Sequence, residues 1–340
     1  MLRVKSNSQE TPISKFKYRS NNTLFILFAI YTCNAIDRNI LVVLFEPIKK
    51  EFDLSDSELG FLATGFAVSY AVSGLFFGIA ADRLSRRNLV AGCLTFWSVM
   101  TALCGLAQSF MQLFLGRIGV GIGEAGASPA AMSMISDLYP TGKRATAVSV
   151  YYLSSPIGFM IALAAGGWLE HRMGWHSAFL IAAMPGALLV PVLLLRVKEP
   201  IRGGLDAPAN IDRPPLFSEF LRFAKSQRSL VLILVGTTIN VLVLSGIGAW
   251  TVSYFVRTHA LSVAQAGTYI GGLQGTMGIL GTLTGGILAD ALGRRDVRAR
   301  LWLISASMSL GVICAIGWIL APDLWVGIVF YGAASFANSL

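Results

Sequence analysis

The sequence predicts an all-α membrane protein built from two related halves, and three observations carry that prediction. First, 54% of the 340 residues are hydrophobic and only 13% are charged, well below the charged fraction of a soluble domain. Second, runs of about 20 apolar residues recur, each long enough to cross a hydrocarbon core roughly 30 Å thick. Third, a decapeptide occurs twice. Gly78-Ile-Ala-Ala-Asp82-Arg-Leu-Ser-Arg86-Arg87 and Gly286-Ile-Leu-Ala-Asp290-Ala-Leu-Gly-Arg294-Arg295 lie 208 residues apart and share seven of ten positions. Each copy stands where an apolar run meets positive charge, which is the pattern of an internally repeated transporter fold.

In order, the apolar runs are 22–45, 59–80, 89–109, 111–134, 145–169, 178–195, 230–255, 264–288, 301–320 and 324–340. Backbone polar groups cannot stay unpaired in lipid, so these runs are helices. No ten-residue alternation suggests a barrel. The runs divide the chain into a tail (1–21), a six-helix bundle (22–195), a linker (196–229) and a four-helix partial bundle (230–340). Of the 27 Lys and Arg, 21 fall on the side of the tail and both decapeptides, four fall on the other side, and Arg38 and Arg117 lie within spans. The positive-inside bias therefore predicts a multi-pass protein of the cytoplasmic (inner) membrane with a cytoplasmic N-terminus. The net charge of +9 follows from that topology and calls for no nucleic acid. Residues 1–20 have no apolar core or cleavage site, so they are not a cleavable signal peptide.

Within the linker, Leu216–Lys225 is amphipathic at helical spacing. It reads as a helix lying on the membrane surface or as the first turns of the seventh span. Cys33, Cys93, Cys104 and Cys314 fall in apolar spans and read as packing residues. His171, His176 and His259 have no metal-site spacing. No metal and no cofactor are expected, and no nucleophile–base pattern appears in the spans, so the chain does not read as an enzyme.

Charges inside a membrane are costly and are functional candidates by default. The first span carries Asn34, Asp37 and Arg38, and the fourth carries Arg117 and Glu124. Asp37 is expected about 22 Å into its helix. Arg117 and Glu124, seven apart, share a helix face about 10 Å apart along the axis. Asp37, Arg38 and Arg117 could thus form one layer, with Glu124 one or two turns deeper. Carboxylates beside arginines can bind and release protons, so Glu124 is expected to titrate. The guanidinium of Arg117 offers a planar fork for a phosphate or carboxylate, so Arg117 is expected to bind an anionic substrate group. A static ion pair that stabilises the bundle is the alternative.

Gly121-Ile-Gly123-Glu-Ala-Gly126 matches a dinucleotide fingerprint, but no strand precedes it. Gly119, Gly121, Gly123 and Gly126 read instead as close-packing positions. Gly158, Gly166 and Gly167 read the same way, and Pro156 is expected to kink its helix. Asp82 and Asp290 end their helices against the negative end of the dipole. Arg86 and Arg294 are candidate partners, as is the N-terminus of a neighbouring helix. Tyr151, Tyr152, Ser154, Ser155, Asn240 and Gln274 could line a cavity or serve as helix-packing contacts. Trp168 and Trp250 read as interfacial anchors.

These residues carry a resemblance. The doubled Gly-x-x-x-Asp-x-x-x-Arg-Arg loops resemble the signature of the major facilitator superfamily. Ala35-Ile-Asp37-Arg38-Asn-Ile-Leu41, Gly116-Arg117-Ile-Gly-Val-Gly-Ile-Gly-Glu124-Ala-Gly-Ala-Ser-Pro129 and Ile135-Ser-Asp137-Leu-Tyr-Pro140 resemble its spinster-type members. Anion:cation symporters are similar in the first and fourth helices. The resemblance implies two six-helix bundles and alternating access to a central site. It implies proton-linked secondary transport of lipid-like amphiphiles or organic anions by a monomer, with membrane lipid, a small amphiphilic or anionic substrate and the proton as partners. Carried across, Asp37, Arg38, Arg117 and Glu124 match the coupling and headgroup positions. Gly78, Asp82, Arg86 and Arg87, with Gly286, Asp290, Arg294 and Arg295, match the cytoplasmic gate. In that family Asp82 would face an eleventh helix, and Asp290 would face the start of the fifth near Lys143–Thr146.

A second half matching the first would need roughly 70 further residues. A partial reading frame is therefore expected, with a true ten-helix protein as the alternative. Such a chain is expected to insert but to transport poorly alone. The competing functions are an anion:cation symporter for a small organic acid and a non-transporting remnant that acts as a sensor.

Overall fold

The computed structural model describes residues 12–203, 222–223, 226–293, 296 and 298–340. Among these residues the chain forms thirteen helices and no strand. In order they are α1 (Pro12–Val43), α2 (Phe45–Phe52), α3 (Asp56–Arg83), α4 (Arg86–Cys104), α5 (Phe110–Glu124), α6 (Ala127–Leu138), α7 (Thr141–Tyr152), α8 (Ser154–Met173), α9 (Trp175–Arg196), α10 (Arg228–His259), α11 (Val263–Gly293), α12 (Ala299–Ile319) and α13 (Leu324–Ser339).

The expected spans appear as helices, with three physical differences. The fourth run is two helices, because α5 ends at Glu124 and α6 begins at Ala127. The fifth is also two, α7 and α8, broken at Leu153. The ring of Pro156 removes an N–H and crowds the carbonyl one turn earlier, which is where the helix gives way. The first helix starts at Pro12 rather than near residue 22, so the end of the polar tail is helical. Among the described residues seven helical stretches qualify by length and composition to cross a membrane, α7 and α8 counting as one (Thr141–Met173), and Leu324–Ser339 is a shorter apolar one. The breaks shorten α5 and α6, and nine glycines dilute the hydropathy of the 31-residue α11. Leu216–Lys225 lies almost entirely outside the described residues.

The capping chemistry is local and legible. Ser55 and Glu58 form a reciprocal capping box at the start of α3, satisfying two donors that a helix N-terminus otherwise leaves open. Ser85 and Ser109 cap α4 and α5.

In the first half, α4 packs against α5 and α9, α3 against α5, and α1 against α8 and α9. In the second, α13 packs against α11 and α12. The halves meet mainly along α8 and α11. A seam of glycines makes that approach possible. A Cβ added at Gly271 would lie 2.7 Å from the Cβ of Leu163, and one at Gly275 would lie 2.7 Å from the Cβ of Met160. Gly167 on α8 meets the carbonyl of Val263 in the same way. Small residues let helix backbones approach closely where lipid supplies no hydrophobic drive for association. Gly158 and Gly166 make similar contacts with Ala35 and Val43 on α1.

The seam makes a directional prediction. Gly271→Leu should overpack the α8–α11 contact and cost about 1–3 kcal/mol. Gly272→Leu should leave stability nearly unchanged, because a Cβ at Gly272 meets nothing within 4 Å. Thermal midpoints of the two variants, followed by fluorescence-detected size exclusion, check the contrast.

Candidate functional site

The four charges singled out in the spans do come together, though not in the arrangement their spacing suggested. Asp37, Arg117 and Glu124 are buried at about one per cent exposure. The side chain of Arg38 is 34% exposed. Helix geometry explains how adjacent residues 37 and 38 serve partners two turns apart on α5. Side chains tilt toward a helix N-terminus and carbonyls point toward the C-terminus. The guanidinium of Arg38 accordingly reaches back to Glu124, donating from Nε at 3.4 Å and Nη2 at 3.2 Å to the same Oε2. The carbonyl of Asp37 accepts from Nη1 of Arg117 at 3.0 Å.

Neighbouring aromatics complete the electrostatics. Arg117 lies 4.8 Å from the centroid of Phe66 and Arg38 lies 5.4 Å from the same ring. Phe66 therefore contacts both guanidinium groups. Arg38 also lies 4.7 Å from the centroid of Tyr70. Such cation–π contacts hold a desolvated cation without neutralising it. Two cations and two carboxylates leave the cluster formally neutral. Trp97 and Thr101 of α4 flank the Asp37 carboxyl, but Trp97 Nε1, Thr101 Oγ1 and Asp37 Oδ1 have no partner at hydrogen-bond geometry. Glu124 Oε1 and Arg117 Nε are likewise buried without a partner. Buried polar atoms left unpaired are costly, and here they concentrate around the candidate proton-binding groups.

This arrangement separates two roles that the sequence had combined. The fork of Arg117 is sealed in the protein, whereas Arg38 presents an accessible edge. In this conformation the accessible cation is Arg38.

The glycines of α5 set the whole cluster in place. A Cβ at Gly123 would lie 2.8 Å from Trp97 Cβ, one at Gly119 2.6 Å from Met100 Sδ, and one at Gly121 2.6 Å from the Phe66 carbonyl. The close-packing reading of Gly119, Gly121, Gly123 and Gly126 thus has a structural counterpart on α3 and α4.

Tyr151 is buried and stacks on Tyr31 at 4.6 Å, while Tyr152 is exposed and meets Tyr31 edge-on at 5.8 Å. Asn240 and Gln274 lie apart from these residues. They line a cavity of about 240 Å³ in the second half with Tyr331, Ser335 and Asn338. Tyr331 donates to Gln274. Cys33, Cys93, Cys104 and Cys314 are buried free thiols. Among the described residues, no group of three or more His, Cys, Asp or Glu is placed to hold a metal ion.

The first decapeptide forms the junction between α3 and α4, and here one expected pairing is corrected. Arg86 does not pair with Asp82, which is exposed and makes no hydrogen bond or ion pair among the described residues. Arg86 is fully buried and turns the other way. Its Nε donates to Glu199 at 2.9 Å, and its Nη2 donates to the carbonyl of Pro200 at 2.7 Å. Its Nη1 donates to Ser133 at 2.8 Å and forms an ion pair with Asp137. A buried guanidinium needs this many acceptors, and a single carboxylate one turn away could not supply them. Arg87 is more superficial and donates its backbone N–H to Glu199 at 2.9 Å. Arg202 and Gly203 close the junction by bonding the Ala81 and Leu84 carbonyls and the Asp137 carboxylate. Glu199 and Arg202 were not singled out in the sequence, and Asp137 entered only as part of the Ile135–Pro140 motif; the usable signal for Glu199 was an acidic residue directly after the sixth span in an otherwise basic segment. Gly78 and Gly286 face open space. Asp290 falls within α11, and its side chain, Arg294 and Arg295 lie outside the described residues.

Two predictions follow from this junction. Arg86→Gln should lower stability by about 1–3 kcal/mol, because it removes the bonds of a buried guanidinium to two partly exposed carboxylates, Asp137 and Glu199, whereas Arg87→Gln should cost far less; thermal midpoints measured side by side check the ratio. The second concerns Glu199. Partial burial opposes its ionisation, but hydrogen bonds from the Arg87 backbone, the Arg86 guanidinium and the Ser85 hydroxyl outweigh it and hold the carboxyl below its ordinary value of 4.5. A carboxyl depressed on folding contributes stability above its ordinary value and loses it as pH falls through the folded value. The stability gap between wild type and Glu199→Gln should therefore be widest near neutral pH and should close as pH falls below 4.5. A gap that is constant with pH would contradict this assignment.

Comparison with known proteins agrees with the fold. Residues 27–339 match the Major Facilitator Superfamily. An MFS-type efflux pump of Mycolicibacterium smegmatis is 35% identical over 282 residues, 82% of this chain and 64% of the relative. The sphingosine-1-phosphate transporter SPNS2 of Danio rerio is 28% identical over 291 residues, 81% of this chain and 58% of the relative. The crystal structure of a bacterial homologue of the human lysosomal transporter Spinster, inward-facing and unoccupied, superposes with a TM-score of 0.82 at 30% identity, covering 95% of this chain and 73% of that one. The chain spans less than two thirds of the length of the curated relatives. Fold and relatives are those of transporters rather than enzymes. The chain belongs to the Major Facilitator Superfamily, in its spinster-like branch.

Proposed function

We propose that this protein is a proton-coupled secondary transporter that moves an anionic amphiphile across the cytoplasmic membrane by alternating access. One observation carries the reading: the Arg38–Glu124 pair has its glutamate side chain wholly buried and its arginine side chain 34% exposed. A proton arriving on Glu124 removes the counter-charge from Arg38. The freed guanidinium then takes the phosphate or carboxylate of the substrate in its place. Return of Glu124 to the carboxylate reforms the pair and displaces the anion. The Glu124 carboxylate and the substrate anion thereby exchange on one cation, and proton and substrate bind together, which is a coupling device. Asp37 and Arg117 hold the buried side of the cluster.

An amphiphile is favoured over a small organic acid by a cavity of about 710 Å³ between α3 and α10. Ala63, Ala67, Val241, Leu242 and Ala249 are among its walls. Tyr70, which lies against Arg38, continues the Ala63–Ala67 stripe of α3 by one more turn. The proposed arrangement puts the charged headgroup at Arg38 and the aliphatic tail in that cleft. The name of the SPNS2 relative, a transporter of a phosphorylated sphingoid base, supports the same substrate class. The decapeptide junction, with Arg86 and Arg87 in the first half and Arg294 and Arg295 in the second, is the proposed cytoplasmic gate. The excess of Lys and Arg at that end supports a cytoplasmic N-terminus.

Proteoliposome transport under an imposed pH gradient, across a panel of lysophospholipids, sphingoid phosphates and organic acids, tests the proposal. Glu124→Gln should retain substrate binding and lose the response to the gradient. Arg38→Ala should weaken binding by about ten- to a hundredfold, the scale of a lost charge-assisted contact, and Arg38→Lys should recover part of it. Wild-type pH dependence in Glu124→Gln would overturn the coupling role, and unchanged binding in both Arg38 variants would overturn the headgroup role.

A further inference from the structure

A second ionic cluster lies at the end of the bundle opposite the decapeptides, and it joins the two halves. Arg257 occupies the last turn of α10 in the second half. Its Nε donates to Glu46 Oε1 at 2.8 Å. Its Nη1 donates to Asp56 Oδ2 at 2.9 Å and its Nη2 to Asp56 Oδ1 at 2.8 Å. The contact with Asp56 is fork on fork, the most directional ion pair that side chains form. Lys49 donates to the same Asp56 Oδ1 at 2.6 Å, so two cations and two carboxylates balance.

The first-half partners are placed by local chain geometry. The helix breaks after α1, and α2 runs only from Phe45 to Phe52. Asp53 then takes a left-handed conformation with φ 51°, and Ser55 caps α3. These two turns bring Glu46, Lys49 and Asp56 to one place. An aromatic contact lies close by: Trp250 of α10 packs on Phe45 at 5.4 Å, and Arg257 stands 5.8 Å from the Trp250 ring.

Among the described residues, the ion pairs joining the halves are those of Arg257. The other principal inter-half contact is the glycine seam of α8 and α11. The two contacts differ mechanically. Packed small residues tolerate small changes of crossing angle, whereas a bidentate guanidinium–carboxylate contact is lost on modest displacement. The seam can therefore persist while the halves rock, and the Arg257 cluster cannot. The cluster is also partly exposed, with side-chain exposures of 36% for Arg257 and 51% for Asp56. Water can replace the partners as they separate, so the contact is reversible rather than permanent.

We propose that Arg257, with Glu46 and Asp56, is a latch that holds the two halves together at this end, and that it opens whenever the central site opens there. The latch rests on the alternating-access reading of the fold, but its test needs no substrate.

Nitroxide labels at Ser57→Cys and Thr258→Cys, both exposed positions next to the latch, report the separation of the halves by double electron–electron resonance. The native cysteines are buried. The labelled 340-residue chain in lipid nanodiscs should show a dominant short distance. Arg257→Gln should raise the long-distance population roughly tenfold, the scale of a lost charge-assisted contact between two states. Arg257→Lys, which keeps the charge but not the fork, should fall between. Asp56→Asn should act in the same direction from the other half, and it decides the matter if Arg257→Gln does not elute as folded protein. Unchanged distances in folded Arg257→Gln, or in Asp56→Asn where that variant decides, would overturn the latch. A distance shift in protein that moves no substrate in the proteoliposome panel would leave the latch standing and count against the transport reading.

Discussion

The close approach of α5 to α3 and α4 is the constraint on which the central site depends. Without side chains at Gly119, Gly121 and Gly123, the backbone of α5 reaches the surfaces of Met100, Phe66 and Trp97. Only at that separation do Arg117 and Glu124 meet Asp37 and Arg38 of α1. A single methyl group in this interface would push the arginine and the carboxylate away from their partners. The glycines and the charges form one device, in which the glycines set the helix spacing and the charges depend on it.

Burial of this cluster also has a consequence for dynamics. The polar atoms without partners around Asp37, Trp97 and Thr101 mark a region where the present conformation leaves hydrogen-bonding capacity unused. A state stabilised by filling that capacity, with a proton, a water or a rearranged side chain, would compete with this one.

Much of the architecture was legible in the sequence because it is written in local patterns. Apolar run length gave the helices, the decapeptide pair gave the repeat, and Gly119–Gly126 gave the packing of α5. The site was legible in membership but not in wiring. Spacing of seven along one helix correctly placed Arg117 and Glu124 on a common face, but it could not show that Arg38 reaches Glu124 from α1. It also could not show that Arg117 is capped by a backbone carbonyl. Arg86 is the clearest case. Its neighbour Asp82 was the local candidate, yet its partners are Ser133, Asp137, Glu199 and Pro200, brought together only by tertiary packing of α4, α6 and the segment after α9. The breaks at Leu153 and at Ala125–Gly126 were partly hidden for the same reason. A proline or a glycine permits a break, and the neighbouring helices decide whether and where it occurs.

The segment after α9 carries one further implication. Residues 199–203 are fastened to the first half at several points, through the Glu199 carboxylate, the Pro200 carbonyl, the Arg202 guanidinium and the Gly203 amide. The covalent tether between the halves therefore has a fixed anchorage that extends to Gly203, well past the end of the sixth span. Its working length is shorter than the distance in sequence from α9 to α10. A shorter tether raises the effective concentration of one half at the other, so the chain is biased toward keeping its halves in register even when the contacts between them let go.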